Sequence, residues 1–291
     1  MPEHSLTPEL LAAYSVVADP QLSPNGEWVL YTIGEASHEG EHPNGAVWLT
    51  SFRDGGARQF TAGTALDAAS RWSPDGGAIA FVSDRAEPGK PRLYTVPFAG
   101  GEATLVETPP GEVSDPRWSP DGAYLAYRLT EPETEEDKRR KEERDDVEVA
   151  GETYKYARLF VTHLDTGESR RISAEKRHVR DFDWSPDGGR LAVATADTPE
   201  DDEDHLPGRI EVFDLESGEA RTLAEPLGAV LDLRWSPDVE RVAYVGMASR
   251  SGAAEAVCVL PVENGEPAVQ SRRLCDGAAL AARRRPGVHR A

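Results

Sequence analysis

Short runs in which apolar and polar residues alternate recur along the whole chain and predict β-strands. The first set of runs comprises Trp28–Tyr31, Ile79–Val82, Leu125–Tyr127, Leu191–Val193 and Val242–Val245. A second set follows at Val47–Leu49, Leu93–Val96, Leu159–Val161, Ile210–Phe213 and Val257–Leu260. After a glycine-containing turn, shorter runs occur at Arg58–Phe60, Thr104–Val106, Arg171–Ile172, Arg221–Leu223 and Arg273–Leu274. The same order of strands is therefore repeated five times.

A turn motif of the type Trp-Ser-Pro-Asp-Gly precedes each strand of the first set. Its copies are Leu22–Gly26, Trp72–Gly76, Trp118–Gly122, Trp184–Gly188 and Trp235–Val239. Proline presets φ in such a turn, Asp suits the next position, and Gly accepts a positive φ. The motif predicts a tight connection between antiparallel strands, with a Trp large enough to wedge between neighbouring units. The residues expected to build the repeat are Ser23, Pro24, Trp72, Pro74, Trp118, Pro120, Trp184, Pro186, Trp235 and Pro237.

An acidic residue lies three positions before the motif in four repeats, at Asp19, Asp115, Asp181 and Asp232. Such a carboxylate can accept hydrogen bonds from the backbone of the preceding loop. Units of about 40–50 residues with four short antiparallel strands are typical of propeller blades. We therefore expect an all-β fold, a β-propeller with about five recognisable four-stranded blades, which need not be the complete propeller. Chance recurrence of a turn in a β-sandwich does not account for five copies in phase.

One segment precedes this pattern, a second interrupts it and a third follows it. Thr7 as N-cap and Pro8 as first helical residue predict a short helix to Val17, so residues 1–18 form a helical lead-in to the blades at 19–275. Residues 131–152 are a charged insertion without an apolar face, either a solvated loop or a flap that docks a partner. Residues 276–291 form an atypical basic tail, from which we expect a reading frame truncated or shifted near Asp276.

Composition narrows the function classes. The 291 residues carry 32 Lys and Arg against 52 Asp and Glu, a net charge of −20, which disfavours binding to nucleic acid. No apolar stretch is long enough to span a membrane and no export signal is visible, so we expect a cytoplasmic protein. The two cysteines, Cys258 and Cys275, form neither a disulfide framework nor a CxxC metal motif.

One segment of the chain matches a known catalytic sequence motif. His38-Glu39-Gly40-Glu41-His42 matches the zinc-protease pattern H-E-x-x-H, but its central Gly and the following Pro43 favour a loop, and no third ligand is evident. His38, Glu39 and His42 are therefore a weak match to a metal site, and we expect no cofactor. The acidic run Asp197–Asp204 lacks the spacing of a calcium loop. Gly-x-Ser-x-Gly, the turn of serine hydrolases, is absent, so we assign no catalytic residue.

The N-terminal residues resemble a known family. Leu6–Leu11 and Val17–Gly26 are similar to the start of bacterial acylaminoacyl peptidases of the prolyl oligopeptidase family, and the repeated blades resemble its propeller. That resemblance implies a propeller followed by an α/β-hydrolase domain with Ser, Asp and His, a domain that is missing from this chain. The blades would then be a non-catalytic filter that admits short peptides. The partners that the resemblance implies are the hydrolase domain and short peptides, and the chain could also form oligomers.

Two alternatives remain. The Ser-Pro-Asp-Gly blades also resemble TolB-type propellers, which are exported, so the chain could be a stand-alone propeller that binds a protein or peptide. A third hypothesis is an enzyme that uses paired acidic residues in the propeller channel, as some glycosidases do. The sequence offers many acids and no basis for choosing two of them.

Overall fold

A computed structural model describes residues 14–35, 43–132, 134, 139, 154–200, 208–226, 228–247, 255–263 and 268–270. The chain divides into two compact units, Met1–Val179 and Arg180–Ala291. The predicted H-E-x-x-H loop, nearly all of the charged insertion and the basic tail lie outside the described residues.

The described residues form twenty β-strands in five sheets of four, all antiparallel where their pairing is described. Sheet 1 contains β1 (Ser15–Leu22), β2 (Trp28–Glu35), β3 (Gly45–Ser51) and β4 (Ala57–Gln59). Sheet 2 contains β5 (Asp67–Trp72), β6 (Ala78–Ser83), β7 (Arg92–Pro97) and β8 (Thr104–Leu105). Sheet 3 contains β9 (Glu112–Trp118), β10 (Tyr124–Thr130), β11 (Ala157–His163) and β12 (Ser169–Arg171).

The remaining strands belong to two further sheets. Sheet 4 contains β13 (His178–Trp184), β14 (Arg190–Ala196), β15 (Gly208–Asp214) and β16 (Ala220–Ala224). Sheet 5 contains β17 (Leu231–Trp235), β18 (Arg241–Met247), β19 (Glu255–Pro261) and β20 (Ala268–Gln270). In every sheet the strands lie side by side in chain order, as expected for propeller blades.

The first three sheets pack face to face within the first unit. Side chains that alternate along β6 point to opposite faces of sheet 2, so this sheet contributes to both of the cores described below. Between sheets 1 and 2 the core contains Leu30, Val47, Leu49, Ile79, Phe81, Tyr94 and Val96. Between sheets 2 and 3 it contains Ala80, Val82, Leu93, Val106, Val113, Leu125, Tyr127 and Leu129. The first strands β1, β5 and β9 lie next to one another, whereas β4 and β8 are short and exposed.

In the second unit, described residues of sheets 4 and 5 form a core between these two sheets. Its members from sheet 4 are Ala192, Ala194, Ile210, Val212 and Leu223. Those from sheet 5 and the segment before it are Val230, Leu233, Trp235, Val242, Tyr244, Cys258, Leu260 and Val262. Central strands that are buried on both faces explain why their sequences are almost continuously apolar.

The all-β fold and its five four-stranded units are confirmed, and two predicted elements differ. The predicted helix ends at Val17, but Ser15–Val17 belong to β1, where Val16 and Val17 pair with Gly34 and Ile33. β-branched residues with strand partners favour the extended conformation over the local helix signal. The helix's earlier part lies outside the described residues. The fourth strand of sheet 5 is Ala268–Gln270, before the predicted run Arg273–Leu274, which is also outside them.

Candidate functional site

The five Ser-Pro-Asp-Gly turns share one hydrogen-bonding arrangement. In each turn the backbone N–H of the last motif residue, three positions after Ser, donates to the Ser carbonyl at 2.8–3.0 Å. The Ser hydroxyl donates to the side chain two residues later at 2.5–2.8 Å. The same hydroxyl accepts the backbone N–H five residues later at 2.8–3.0 Å. Because one side chain ties together both strands at the turn, Ser at this position fixes where each first strand ends.

The acceptor in four of these turns is an aspartate, and its ionised form is stabilised. Hydrogen bonds from the Ser hydroxyl hold the pKa of Asp75, Asp121 and Asp187 below its ordinary value. In the fifth turn, hydrogen bonds from Ser236 and Arg241 lower the pKa of Asp238 to about 2. The first turn has the neutral Asn25 instead.

The last residue of the motif has a backbone conformation that favours glycine, and in the fifth turn a valine adopts it. Gly26, Gly76, Gly122 and Gly188 have φ between +72° and +76°, in the left-handed region. Val239 occupies the same position with φ +64°, a conformation that costs a β-branched residue conformational energy. Val239 is partly buried against the sheet 4–5 core, so tertiary packing compensates for part of this strain.

Three Trp residues of the motif, Trp72, Trp118 and Trp235, lie between neighbouring sheets of the same unit. Within the first unit, the Trp72 indole N–H donates to the Gln21 carbonyl at 3.3 Å, and the Trp118 indole N–H donates to the Arg71 carbonyl at 3.1 Å. Each ring thus links its own strand to the first strand of the preceding sheet. In the second unit Trp235 is buried, and the Arg190 guanidinium lies 5.1 Å from its ring centroid.

A β-bulge recurs on the first strands, three residues before the motif. Asp19, Ala69, Asp115 and Asp232 all have φ between +48° and +53°, and the strand register shifts at each of them. Asp tolerates the left-handed region better than most residues, which explains its recurrence here. Asp181 occupies the corresponding place in sheet 4, where its carboxylate accepts the N–H groups of Phe182 at 2.8 Å and Leu233 at 2.7 Å.

These bulges place acidic and basic side chains in one row along the first strands of unit 1. Arg71 lies between two carboxylates: its Nη1 donates to Asp19 Oδ2 at 2.5 Å, and its Nη2 lies 3.6 Å from Asp115 Oδ1. Asp115 also accepts a hydrogen bond from Arg117 at 2.8 Å, and Arg128 Nε lies 4.0 Å from it. We call Asp19, Arg71, Asp115, Arg117 and Arg128 the Asp–Arg row.

The second unit repeats the arrangement on a smaller scale. Arg234 donates to Asp232 at 2.9 Å, and its Nη1 lies 3.5 Å from Asp181 Oδ2. The Asp183 carboxylate accepts the backbone N–H of Trp235 at 2.8 Å. The repeat pattern predicts that these aspartates accept hydrogen bonds from the backbone of the preceding loop. Asp19, Asp115 and Asp232 instead lie beside guanidinium groups, which the pattern does not predict.

Three of these arginines have a common place in the repeat. Arg71, Arg117 and Arg234 each stand directly before the motif Trp, at the position that Gln21 and Asp183 hold in the other repeats. The pattern Asp-x-Arg-Trp occurs at Arg117 and Arg234, whereas Ala69 takes the place of the Asp before Arg71. It was overlooked because strand periodicity alone does not show which charges face each other across sheets.

The charged insertion is held at its base by a buried arginine. Arg158, at the start of β11, donates through Nε to the Glu175 carbonyl at 2.7 Å and forms an ion pair with Glu131. Its guanidinium also lies 5.6 Å from the Tyr156 ring centroid. Whether the insertion acts as a flap stays a prediction.

The weak match to a metal site, His38, Glu39 and His42, lies outside the described residues, as do Asp201–Asp204 of the acidic run. Among the described residues no three His, Cys, Asp or Glu side chains form a group that could hold a metal ion. The same residues include no helix long and apolar enough to cross a membrane.

Comparison with known proteins assigns the fold family. The profile of the family described as "TolB beta propeller domain" matches residues 8–155, about half of the chain. The chain belongs to this TolB-type β-propeller family. The match covers the first two repeats and the first two strands of the third, and the two later repeats share their turn motif.

Among curated proteins, the chain is similar to the uncharacterized peptidase YuxL of Bacillus subtilis, with 33% identity over 211 residues. The aligned segment is 68% of this chain and 32% of that peptidase, so the chain spans about a third of its relative's length.

Solved propellers of two kinds share the fold. The acylaminoacyl peptidase of Pyrococcus horikoshii aligns with a TM-score of 0.61 at 15% identity, over 88% of this chain and 39% of the peptidase. TolB from Acinetobacter baumannii aligns with a TM-score of 0.55 at 18% identity, over 87% of this chain and 56% of TolB. At these identities the structural alignments establish the propeller fold and nothing narrower.

Proposed function

We propose that this chain is the propeller part of a serine peptidase of the acylaminoacyl-peptidase type, in which the blades limit access to a hydrolase domain and admit short peptides. The alignment with a peptidase carries the proposal, because 33% identity over 211 residues extends well beyond the turn motif. The chain itself contains no Gly-x-Ser-x-Gly, so the nucleophile, its Asp and its His belong to the partner domain.

The Asp–Arg row suits this role. The blades of a propeller surround a central channel. We place the first strands at that channel, so that Asp19, Arg71, Asp115 and Arg117 present charges of both signs to an entering peptide. Peptide termini carry one charge of each sign, and a surface of alternating charge binds neither sign strongly. A filter has to let substrate leave as readily as it enters.

The test uses an antibody against this chain in extracts of its source cell, combined with a fluorophosphonate probe that labels active serine hydrolases. YuxL has about 660 residues, since 211 residues are 32% of it, which corresponds to about 70 kDa at the mass per residue of this chain. We expect one polypeptide near this mass that reacts with the antibody and carries the probe. An antibody-reactive polypeptide of 31.7 kDa that neither carries the probe nor co-purifies with a labelled protein would refute the proposal.

A second candidate is a stand-alone TolB-type propeller that binds a protein or peptide. It is favoured by the family profile, which is that of the TolB propeller, and by the fold shared with TolB. Cell fractionation with the same antibody separates the two candidates. We propose a cytoplasmic location for the peptidase, whereas a TolB-type protein would be recovered from an exported fraction.

A further inference from the structure

The first turn differs from the other four because it carries Asn25 where they carry aspartate, and a glycine follows directly. An Asn-Gly pair is chemically labile, since glycine has no side chain to hinder its backbone nitrogen. That nitrogen can lose its proton and attack the Asn Cγ, which forms a C–N bond and releases the side-chain nitrogen as ammonia. Water then opens the cyclic imide and leaves an aspartyl or an isoaspartyl residue. Asn25 is therefore a candidate site of covalent modification.

The turn holds the attacking nitrogen in a hydrogen bond. The backbone N–H of Gly26 donates to the Ser23 carbonyl at 2.9 Å. A proton held in such a bond is harder to remove, because the bond stabilises the neutral form of the donor. Attack on Asn25 therefore requires this hydrogen bond to open first.

The side chain under attack is held as well. Asn25 Oδ1 accepts the Ser23 hydroxyl at 2.8 Å and the backbone N–H of Glu27 at 3.1 Å. Asn25 Nδ2 donates to Glu27 Oε2 at 3.2 Å. The attacking nitrogen has to approach Cγ from above the plane of the amide group. That plane cannot rotate towards the Gly26 nitrogen while all three hydrogen bonds persist.

We propose that Asn25 is a deamidation site that the folded turn protects, and that the Ser23 hydroxyl is the group chiefly responsible. Ser23 is 5% exposed, and its hydroxyl also accepts the backbone N–H of Trp28 at 2.9 Å, so it is fixed from both sides. Modification then starts from molecules in which the turn has opened, and its rate follows the population of that open state. This proposal is independent of the peptidase assignment.

The two products differ in how well they fit the turn. The aspartyl product has the side chain that accepts the Ser hydroxyl in the other turns, such as Asp75 at 2.6 Å. The fifth turn combines Asp238 with Glu240, so a carboxylate beside Glu27 is compatible with the motif. An isoaspartyl residue adds a carbon atom to the backbone and moves the Gly26 N–H away from its acceptor. We expect Asn25→Asp to melt like the wild type at neutral pH, and a lower melting temperature would contradict this account of the products.

Peptide mapping by mass spectrometry tests the protection. The 291-residue chain is incubated at mildly alkaline pH, both folded and unfolded in urea. Replacement of the side-chain NH₂ by OH is then followed in the peptide that contains Asn25. We expect the folded chain to react at least about tenfold more slowly than the unfolded chain, because opening the turn breaks several hydrogen bonds. Ser23→Ala should speed the reaction of the folded chain at least about threefold, since it removes one of these bonds.

Two controls separate opening of this turn from general unfolding. Asn44 also precedes a glycine, and its rate in the same digest should not change in Ser23→Ala. Ser73→Ala removes the equivalent hydroxyl from the second turn and should leave the rate at Asn25 unchanged. Thermal melting checks that each variant folds. If Ser23→Ala does not, Glu27→Ala takes its place, because it removes the acceptor of Asn25 Nδ2 and should also speed the reaction.

Three results would overturn the proposal. The first is an equal rate at Asn25 in the folded and unfolded chains. The second is an unchanged rate in the folded variant of the first turn, and the third is an equal acceleration in Ser73→Ala.

Discussion

At the scale of single residues, the turn motif couples one hydroxyl to both a carboxylate and a backbone N–H. The Ser hydroxyl can serve both because it has one donor and two acceptor positions. The glycine of the motif is required by backbone conformation alone. A Cβ atom at Gly26 would have no neighbour within 4 Å, and yet the φ of +72° disfavours any side chain there. Local chemistry therefore explains why this five-residue pattern recurs.

The strained Val239 gives the first prediction. Val239→Gly should raise the free energy of unfolding by about 1 kcal/mol, because relief of a left-handed φ at a β-branched residue exceeds the loss of its partial burial. Urea unfolding measures the change. Gly26→Val is the matched reverse substitution and should destabilise the protein by about the same amount, since its new side chain meets no neighbour. No change or a loss in Val239→Gly would show that packing outweighs strain.

The turn carboxylates give a prediction about acid stability. The folded state lowers the pKa of Asp238 to about 2 from an ordinary value of 3.8, and lowers that of Asp75, Asp121 and Asp187 as well. A group whose pKa is depressed by folding contributes stability above its unfolded pKa, and that contribution is lost as pH falls through the folded pKa. Melting temperature should therefore fall between about pH 4 and pH 2.

The variant Asp238→Asn isolates one of these groups. Its amide oxygen can accept the hydrogen bond from the Ser hydroxyl, as Asn25 does in the first turn, and the amide does not titrate. We expect the variant to lose less stability than the wild type between pH 4 and pH 2, with the difference between the two largest above pH 4. If the melting temperatures of the variant and the wild type differed by the same amount at every pH, the titration of Asp238 would not be the cause of the acid destabilisation.

At the scale of elements, charge pairs connect first strands that belong to different sheets. Arg71 lies 52 residues from Asp19 and 44 from Asp115 in sequence, and it binds both because their bulges point them towards it. The half-buried setting of the row reduces screening by solvent, whereas an exposed pair contributes little.

Replacing the central guanidinium should therefore weaken the first unit. Arg71→Met keeps most of the side-chain volume and leaves two carboxylates close together, so we expect the free energy of unfolding to fall by about 1–2 kcal/mol. Arg53→Met is the control, since the Arg53–Glu27 pair is well exposed and its loss should change stability by less than about 0.5 kcal/mol. Equal effects of the two substitutions in urea unfolding would remove any special role for the row.

The strands themselves were predictable wherever local pattern and local conformation agree. The second and third strands of all five sheets cover their predicted segments. The helix signal at Pro8 fails at its far end because Val17 gains a strand partner in Ile33, 16 residues away. The fourth strand of sheet 5 was misplaced because short edge strands have too few residues for their periodicity to be distinctive.

At the scale of the whole molecule, the repeat makes every sheet nearly equivalent, and differences in burial then reveal what each face contacts. Residues with the same place in the repeat, such as Val17 and Val113, have opposite exposures.

The all-β class, the repeat and the conformation of the turns follow from local sequence, because Pro, Asp and Gly act through their own backbone geometry. The resemblance to peptidase propellers is likewise visible in residues 6–26. Tertiary contacts are what bring Arg71 to two carboxylates from different sheets and what make residues 15–17 a strand. Those outcomes depend on which residues meet across long sequence separations, and a periodic pattern carries the same local signal whether or not a neighbour is present.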